Sequence, residues 1–309
     1  MKTILVTGGC GFIGSNLCKH LIKLNNRIIC LDNFHTGNIN NLGELLRNDK
    51  FFLIEHDIIK PYATPESIDE IYHLACPASP PKYQKDPIYT SKVNFIGTLN
   101  ILTLAKEKKA KILLSSTSEI YGEPEISPQP ENYRGNVNTI GIRSCYDEGK
   151  RIAETLMMDF YQIYNVDIRI ARIFNTYGPF MDIDDGRVIT NFIKQMLSGQ
   201  DITVYGDGSQ TRSFCYIDDQ INGLTKLMKT DYHYPINIGN PNEMSIKDLL
   251  NILQEMIITD SKVIFCDLPQ DDPTNRCPDI SNAKKILNWE PNVELKEGLK
   301  KTIEYLSNN

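Results

Sequence analysis

The chain has no CxxC pair, no run of basic residues, no low-complexity tract and no internal repeat. Each gap removes a class of protein. Without paired spacing, the eight cysteines at 10, 18, 30, 76, 145, 215, 266 and 277 form neither a disulfide framework nor a zinc site. Their mostly apolar surroundings read as reduced thiols of an intracellular protein. The five histidines at 20, 35, 56, 73 and 233 have no ligand spacing and no neighbouring nucleophile, so no metal is expected. With 33 basic against 39 acidic side chains, a formal charge of −6 and no aromatic–basic interleaving, nucleic acid is not expected as a partner. No apolar run approaches the roughly 20 residues of a membrane helix. A strand pattern starts at residue 2, so neither a membrane anchor nor a signal peptide is expected, and the chain reads as cytoplasmic.

What is present is an alternation of strand-like and helix-like patterns. Residues 2–7, 27–31, 51–57, 69–75, 110–117 and 166–174 read as buried strands, and 88–107 and 143–164 as helices. This predicts an α/β fold, a doubly wound parallel sheet with helices on both faces, over residues 1–175. From about residue 176 the pattern shifts to shorter helices, more proline and two short strands at 202–205 and 235–238. Residues 176–309 are therefore read as mainly a smaller substrate-binding lobe, with some segments returning to the first domain.

Between the first strand and the first helical pattern stands Gly8-Gly9-Cys10-Gly11-Phe12-Ile13-Gly14. Glycines here allow a tight turn, close approach of backbone to a pyrophosphate, and close packing of helix on strand. The second strand ends in Asp32, about 20 residues on, where a carboxylate accepts from an adenosine ribose diol and repels a 2′-phosphate. NAD is thus expected over NADP. Tyr146 and Lys150 stand one helical turn apart on one face. A lysine beside a tyrosine favours the phenolate and is expected to lower its pKa from about 10, which makes Tyr146 a candidate acid/base. The flanking Asp147, Glu148 and Arg151 read as solvated helix or interface charges.

These residues, with Thr117, resemble the extended short-chain dehydrogenase/reductase family in its nucleotide-sugar branch. Within that branch, His73–Pro81, Ser116–Gly122, Arg143–Arg151, Arg172–Pro179, Asp185–Val188 and Gly208–Arg212 are similar to the UDP-glucuronate decarboxylases (UDP-xylose synthases). The segment 133–141 departs from that pattern, with Arg134 and Thr139 where the family usually has tryptophan and proline. The resemblance implies a Rossmann domain, retained NAD, oxidation of UDP-glucuronate at C4, loss of carbon dioxide from the 4-keto acid, and re-reduction to UDP-xylose. It assigns catalysis to Thr117, Glu119, Tyr146, Lys150 and Arg276. For the cofactor it implies Gly8, Gly11, Phe12, Ile13, Gly14, Asp32, Asn33, Thr36, Gly37, Asp57, Ile58, Leu74, Ala75 and Lys92, joined by Thr117, Tyr146 and Lys150. For the substrate it implies Tyr83, Glu119, Asn175, Val188, Tyr205, Arg212 and Arg276. Ser118 replaces the aspartate that dehydratases use for water loss, so Ser118–Glu119 separates a decarboxylase from a 4-epimerase or 4,6-dehydratase. A non-catalytic NAD-binding scaffold is the alternative outside enzymology. A homodimer through the 88–107 and Tyr146 helices is implied by analogy.

Overall fold

The computed structural model describes residues 1–308. Seven strands form one parallel sheet in the spatial order Pro235–Ile238, Ile168–Ile173, Lys111–Thr117, Glu70–His73, Thr3–Thr7, Arg27–Asp32 and Phe51–Glu55. Side chains alternate across it. Ile4, Val6, Ile28 and Cys30 face one core, and Leu5, Ile29 and Leu31 face the other. The helices Phe12–Lys23 and Ile217–Met228 cover the first face, while Thr98–Lys108 and Ser144–Tyr164 cover the second. With both faces buried, continuous apolar runs become strands, as a doubly wound sheet requires. Strand order reverses between Thr3–Thr7 and Glu70–His73, and a ligand crevice belongs at the carboxyl ends there.

Several boundaries differ from the sequence reading. The strands stop short, at Glu55, His73 and Ile173, which leaves Asp57, Leu74, Ala75 and Phe174 in the loops that rim the crevice. The helix expected at 88–107 is Pro87–Lys92 and Thr98–Lys108 joined by a π-helical turn, Val93–Gly97. Gly97 packs there against Ile58, where a Cβ would meet the Ile58 Cδ1 at 2.6 Å. Pro235–Ile238 is not a strand of the C-terminal lobe. It closes the large sheet, parallel to Ile168–Ile173. Its proline opens an edge strand, the position in a sheet where a missing N–H is tolerated.

The C-terminal lobe pairs Ile202–Tyr205 with Val263–Cys266 and carries a three-stranded ribbon of Glu243–Ser245, Thr211–Ser213 and Asn275–Arg276. A buried polar network ties the sheet to the Tyr146 helix. Arg172 grips Glu154 with two bonds, at 3.0 and 2.8 Å, and Ser116 donates to the same carboxylate. Arg172 also donates to the Tyr121 hydroxyl at 3.0 Å, and that hydroxyl donates to Asn237 Oδ1 at 2.8 Å. Among the described residues no cluster could hold a metal ion, and no helix is long and apolar enough to cross a membrane.

Candidate active site

A cavity of about 850 Å³ opens at the carboxyl edge of the sheet. Its deep end is the glycine turn. Gly8 has φ +72°, and a Cβ there would lie 2.8 Å from Ala75; a Cβ on Gly14 would lie 2.1 Å from the Gly8 carbonyl oxygen. The helix Phe12–Lys23 starts with no side-chain cap and no acidic residue in its first turn, so its first N–H groups remain available to an anion. Asp32 accepts from the Cys10 and Phe34 N–H groups at 2.8 and 2.9 Å. Burial pushes its carboxyl up, and these backbone bonds oppose the shift. Asn33 donates to the Tyr89 hydroxyl at 2.6 Å, which donates to Asp57 at 2.9 Å.

Gly11, Phe12, Ile13, Thr36, Gly37, Ile58, Leu74 and Ala75 line the same cavity. Lys92 does not. Its helix turns Thr90 and Val93 inward, and Lys92 is left exposed on the outer side. Asp57 and the other expected cofactor residues are brought together at this cavity, and Lys92 is not among its lining residues.

The nicotinamide-side expectations meet around Tyr146. Its ring stacks on Tyr83 at 5.0 Å between centroids, with the planes 4° apart. Lys150 lies on the same helix face, yet its ammonium donates to the Ser115 carbonyl at 2.9 Å and stands 6.0 Å from the Tyr146 ring centre. The expected lowering of the phenol pKa is therefore not what the protein alone produces. Burial pushes Tyr146 well up, as does the field of Cys76, while Thr117 and Arg187 pull the other way. Burial also pushes Lys150 down, against the fields of Cys76 and Glu154. Desolvation wins because the two side chains are only 7% and 4% exposed.

Beyond Thr117, the backbone N–H of Glu119 bonds the threonine hydroxyl at 3.2 Å, which caps a 3-10 turn and aims Glu119 into a group of arginines. Arg143 pairs with Glu119 and, at 3.1 Å, with Asp272. Arg212 reaches Asp272 at 2.8 Å, and Arg276 reaches Glu119 at 3.4 Å. Burial alone would raise the Glu119 carboxyl, but Arg276, Arg143 and Arg212 override it and hold it at about 2. Arg276 is 1% exposed and does not itself line the cavity. It acts from behind Glu119, with Nε and Nη1 left without partners. Tyr83, Asn175, Val188, Tyr205 and Arg212 all line the outer half, with Tyr205 at the mouth.

Two residues of this half, and a third buried beside them, were not assigned a site role from sequence. Arg143 and Asp272 line the cavity and knit the cage. Asp147, read as a solvated charge, is buried, with Oδ1 unpaired. Burial and Glu119 push its carboxyl up to about 8, against Arg143 and Arg276. Glu148 and Arg151 do behave as half-exposed charges, paired at 3.6 Å. Arg151 also donates to the carbonyls of Ile120 and Arg134 at 2.9 and 2.7 Å, which pins the divergent 133–141 segment. The available signal for Arg143 was its place one turn before Tyr146 and Asp147.

A family model described as GDP-mannose 4,6 dehydratase matches residues 5–302. UDP-glucuronic acid decarboxylase 6 of Arabidopsis thaliana is 54% identical over 297 residues, spanning 96% of this chain and 86% of that protein. Among solved structures, UDP-glucuronic acid 4-epimerase from Bacillus cereus, in complex with UDP-glucuronic acid and NAD, is similar with a TM-score of 0.89 at 32% identity over 99% of each chain. UDP-glucose 4-epimerase from Thermotoga maritima, with UDP-glucose, gives a TM-score of 0.90 at 29% identity, again over 99% of each chain.

Proposed function

The chain belongs to the UDP-glucuronic acid decarboxylase family, and from that membership we propose that it converts UDP-glucuronate to UDP-xylose and carbon dioxide with retained NAD. The glycine cradle, the uncapped helix start and Asp32 fit that cofactor. Gly8 to Gly14 would lie under its diphosphate, with Asp32, Asn33, Thr36 and Gly37 at the adenosine ribose. Asp57 and Ile58 would stand at the adenine, and Leu74, Ala75, Thr117, Tyr146 and Lys150 at the nicotinamide end. Bound there, NAD supplies a hydride acceptor for sugar C4 and a donor for the final reduction.

Tyr146 takes the proton from the C4 hydroxyl, with the Thr117 hydroxyl sharing the hydrogen bond. Lys150, held by the Ser115 carbonyl, supplies positive field for the phenolate that Tyr146 must be before it takes that proton. The oxidised sugar is a β-keto acid, so the bond from C5 to the carboxylate can break with its electrons passing toward the C4 oxygen. Arg143 offers its guanidinium group to the uronate, while Arg276, behind Glu119, keeps that carboxylate charged. Glu119, held ionised, disfavours the carboxylate relative to neutral carbon dioxide. Arg212 and Asn175, Val188, Tyr205 and Tyr83 serve the diphosphate, uridine and sugar.

The single observation that carries the reading is Glu119 inside an arginine cage, two residues past Thr117 and in one cavity with Tyr146. A 4-epimerase is the second reading, favoured by the likeness to epimerase structures. A 4,6-dehydratase would want an acid where Ser118 stands, and a scaffold would have no use for Thr117, Tyr146 and Lys150 together. Purified protein incubated with UDP-glucuronate, without added NAD, tests all of these by mass. A UDP-pentose and carbon dioxide are expected; an unchanged mass with inverted C4 would sink the decarboxylase in favour of the epimerase. We also propose a homodimer, supported by exposed Ile88, Phe95, Ile152 and Ile163 on the two helices concerned, and a reducing, cytoplasmic setting, supported by eight unpaired cysteines.

A further inference from the structure

Thr117 and Glu119 are carried by one short stretch, from the end of the strand Lys111–Thr117 into the 3-10 turn Ser118–Tyr121. Tyr146 is carried by a different element, the helix Ser144–Tyr164. The proposed chemistry needs all three at fixed separations, because the field of Glu119 on the uronate falls with distance. The turn must therefore be held against the helix.

Two adjacent helix residues hold it, from opposite ends of the stretch. Lys150 donates to the Ser115 carbonyl at 2.9 Å, and Arg151 donates to the Ile120 carbonyl at 2.9 Å. Those carbonyls belong to residues just before and just after the segment that carries Thr117 and Glu119. Arg151 Nη1 donates to the Arg134 carbonyl as well, at 2.7 Å. That bond uses backbone, so it does not depend on the Arg134 side chain. The outer side of the turn is also closed by backbone. Asn136 donates to the Tyr121 carbonyl at 2.9 Å, and Glu123 donates to the Asn136 carbonyl at 3.0 Å. Gly122 and Gly135, at φ +60° and +85°, permit this approach; a Cβ on Gly135 would lie 2.5 Å from the Ile120 oxygen. The Arg151 guanidinium thus sits where the turn, the 133–141 segment and the helix meet.

We propose that Arg151 is a positioning residue for the decarboxylation step. By tying the Ile120 carbonyl to the Tyr146 helix, it sets Glu119 at the distance from the sugar carboxylate that carbon dioxide loss requires. Arg151 lines no cavity wall, so it acts through Glu119 and touches neither substrate nor cofactor. Oxidation at C4 runs through Tyr146, Thr117 and Lys150 and does not depend on it. The inference deepens the decarboxylase reading given above and rests on it.

The test mixes holoenzyme rapidly with UDP-glucuronate and follows bound NADH by absorbance alongside carbon dioxide release. Arg151→Met keeps an apolar stem and removes both hydrogen bonds. It is expected to oxidise C4 within about twofold of the wild-type rate, with KM nearly unchanged. Carbon dioxide release should slow by about 10- to 100-fold, so that NADH accumulates on the enzyme. Arg151→Lys, which keeps a cationic donor, should restore most of the release rate. In a Glu119→Gln background, Arg151→Met should slow release no further, because the two residues act as one unit. Wild-type release in Arg151→Met, equal slowing of oxidation and release, or fully additive losses in the double variant would each overturn the proposal. Should Arg151→Met fail to fold, Arg151→Gln is held to the same outcomes. Wild type that releases no carbon dioxide overturns the decarboxylase reading and this inference together, a failure visible before any variant is compared.

Discussion

Glu119 is held ionised by three guanidinium groups, and removing its charge should cost stability in a way that depends on pH. The carboxyl sits at about 2 against an ordinary 4.5. At about 1.4 kcal/mol per pH unit, that displacement corresponds to ~3 kcal/mol favouring the folded, ionised form. Glu119→Gln removes this contribution and leaves Arg143, Arg212 and Arg276 facing one another. The sign follows from the lowered folded pKa. The contribution is complete above the unfolded pKa of 4.5 and fades as pH falls towards 2. Wild type should therefore exceed Glu119→Gln by ~3 kcal/mol at pH 7, with the gap smaller by about 1 kcal/mol at pH 4. Urea unfolding followed by tryptophan fluorescence and circular dichroism at both pH values measures it. A thermal midpoint lower by about 5–10 °C at pH 7 is the coarser readout. Equal stabilities at pH 7, or a gap that widens on acidification, would refute the claim that the arginines hold Glu119 charged.

Three further outcomes are expected. Tyr146→Phe should leave NAD bound while turnover falls by more than about 100-fold; retained turnover in a coupled carbon dioxide assay would remove Tyr146 from proton transfer. Gly14→Ala places a methyl 2.1 Å from the Gly8 carbonyl oxygen. It should purify without NAD, as absorbance of the released nucleotide will report, and lose about 1–3 kcal/mol of stability. Asp272→Asn releases Arg143 and Arg212 from their shared carboxylate. UDP should then bind about fivefold more tightly by calorimetric titration, and unchanged or weaker binding would show that Asp272 does not compete with the diphosphate.

The sheet, the glycine turn, Asp32 and the Tyr146–Lys150 face were legible because each is written in local spacing. The arginine cage was not, because its pairs join residues 24, 129 and 157 positions apart in sequence. Asp272 has no local pattern that marks it, and Arg143 has only its place one turn before Tyr146. Asp147 was misread because a charge flanked by Glu148 and Arg151 is usually solvated, and only the fold reveals that its side of the helix is covered. Tyr146 shows a different limit. Spacing placed the lysine on the right face, but the balance between its charge and burial depends on where the ammonium spends its hydrogen bond.

The edge strand Pro235–Ile238 has a consequence for how the chain can be cut. A fragment ending at residue 175 would contain the whole cofactor cradle and the Tyr146 helix, yet its last strand, Ile168–Ile173, would present a bare edge. Tyr121, linked to Arg172, would lose its bond to Asn237 at the same time. Such a piece should associate through that edge instead of folding as a soluble half. During synthesis, the nucleotide-binding sheet must likewise wait for residue 238 to emerge before it is complete. The two regions divide the labour of binding, but they share a single folding event.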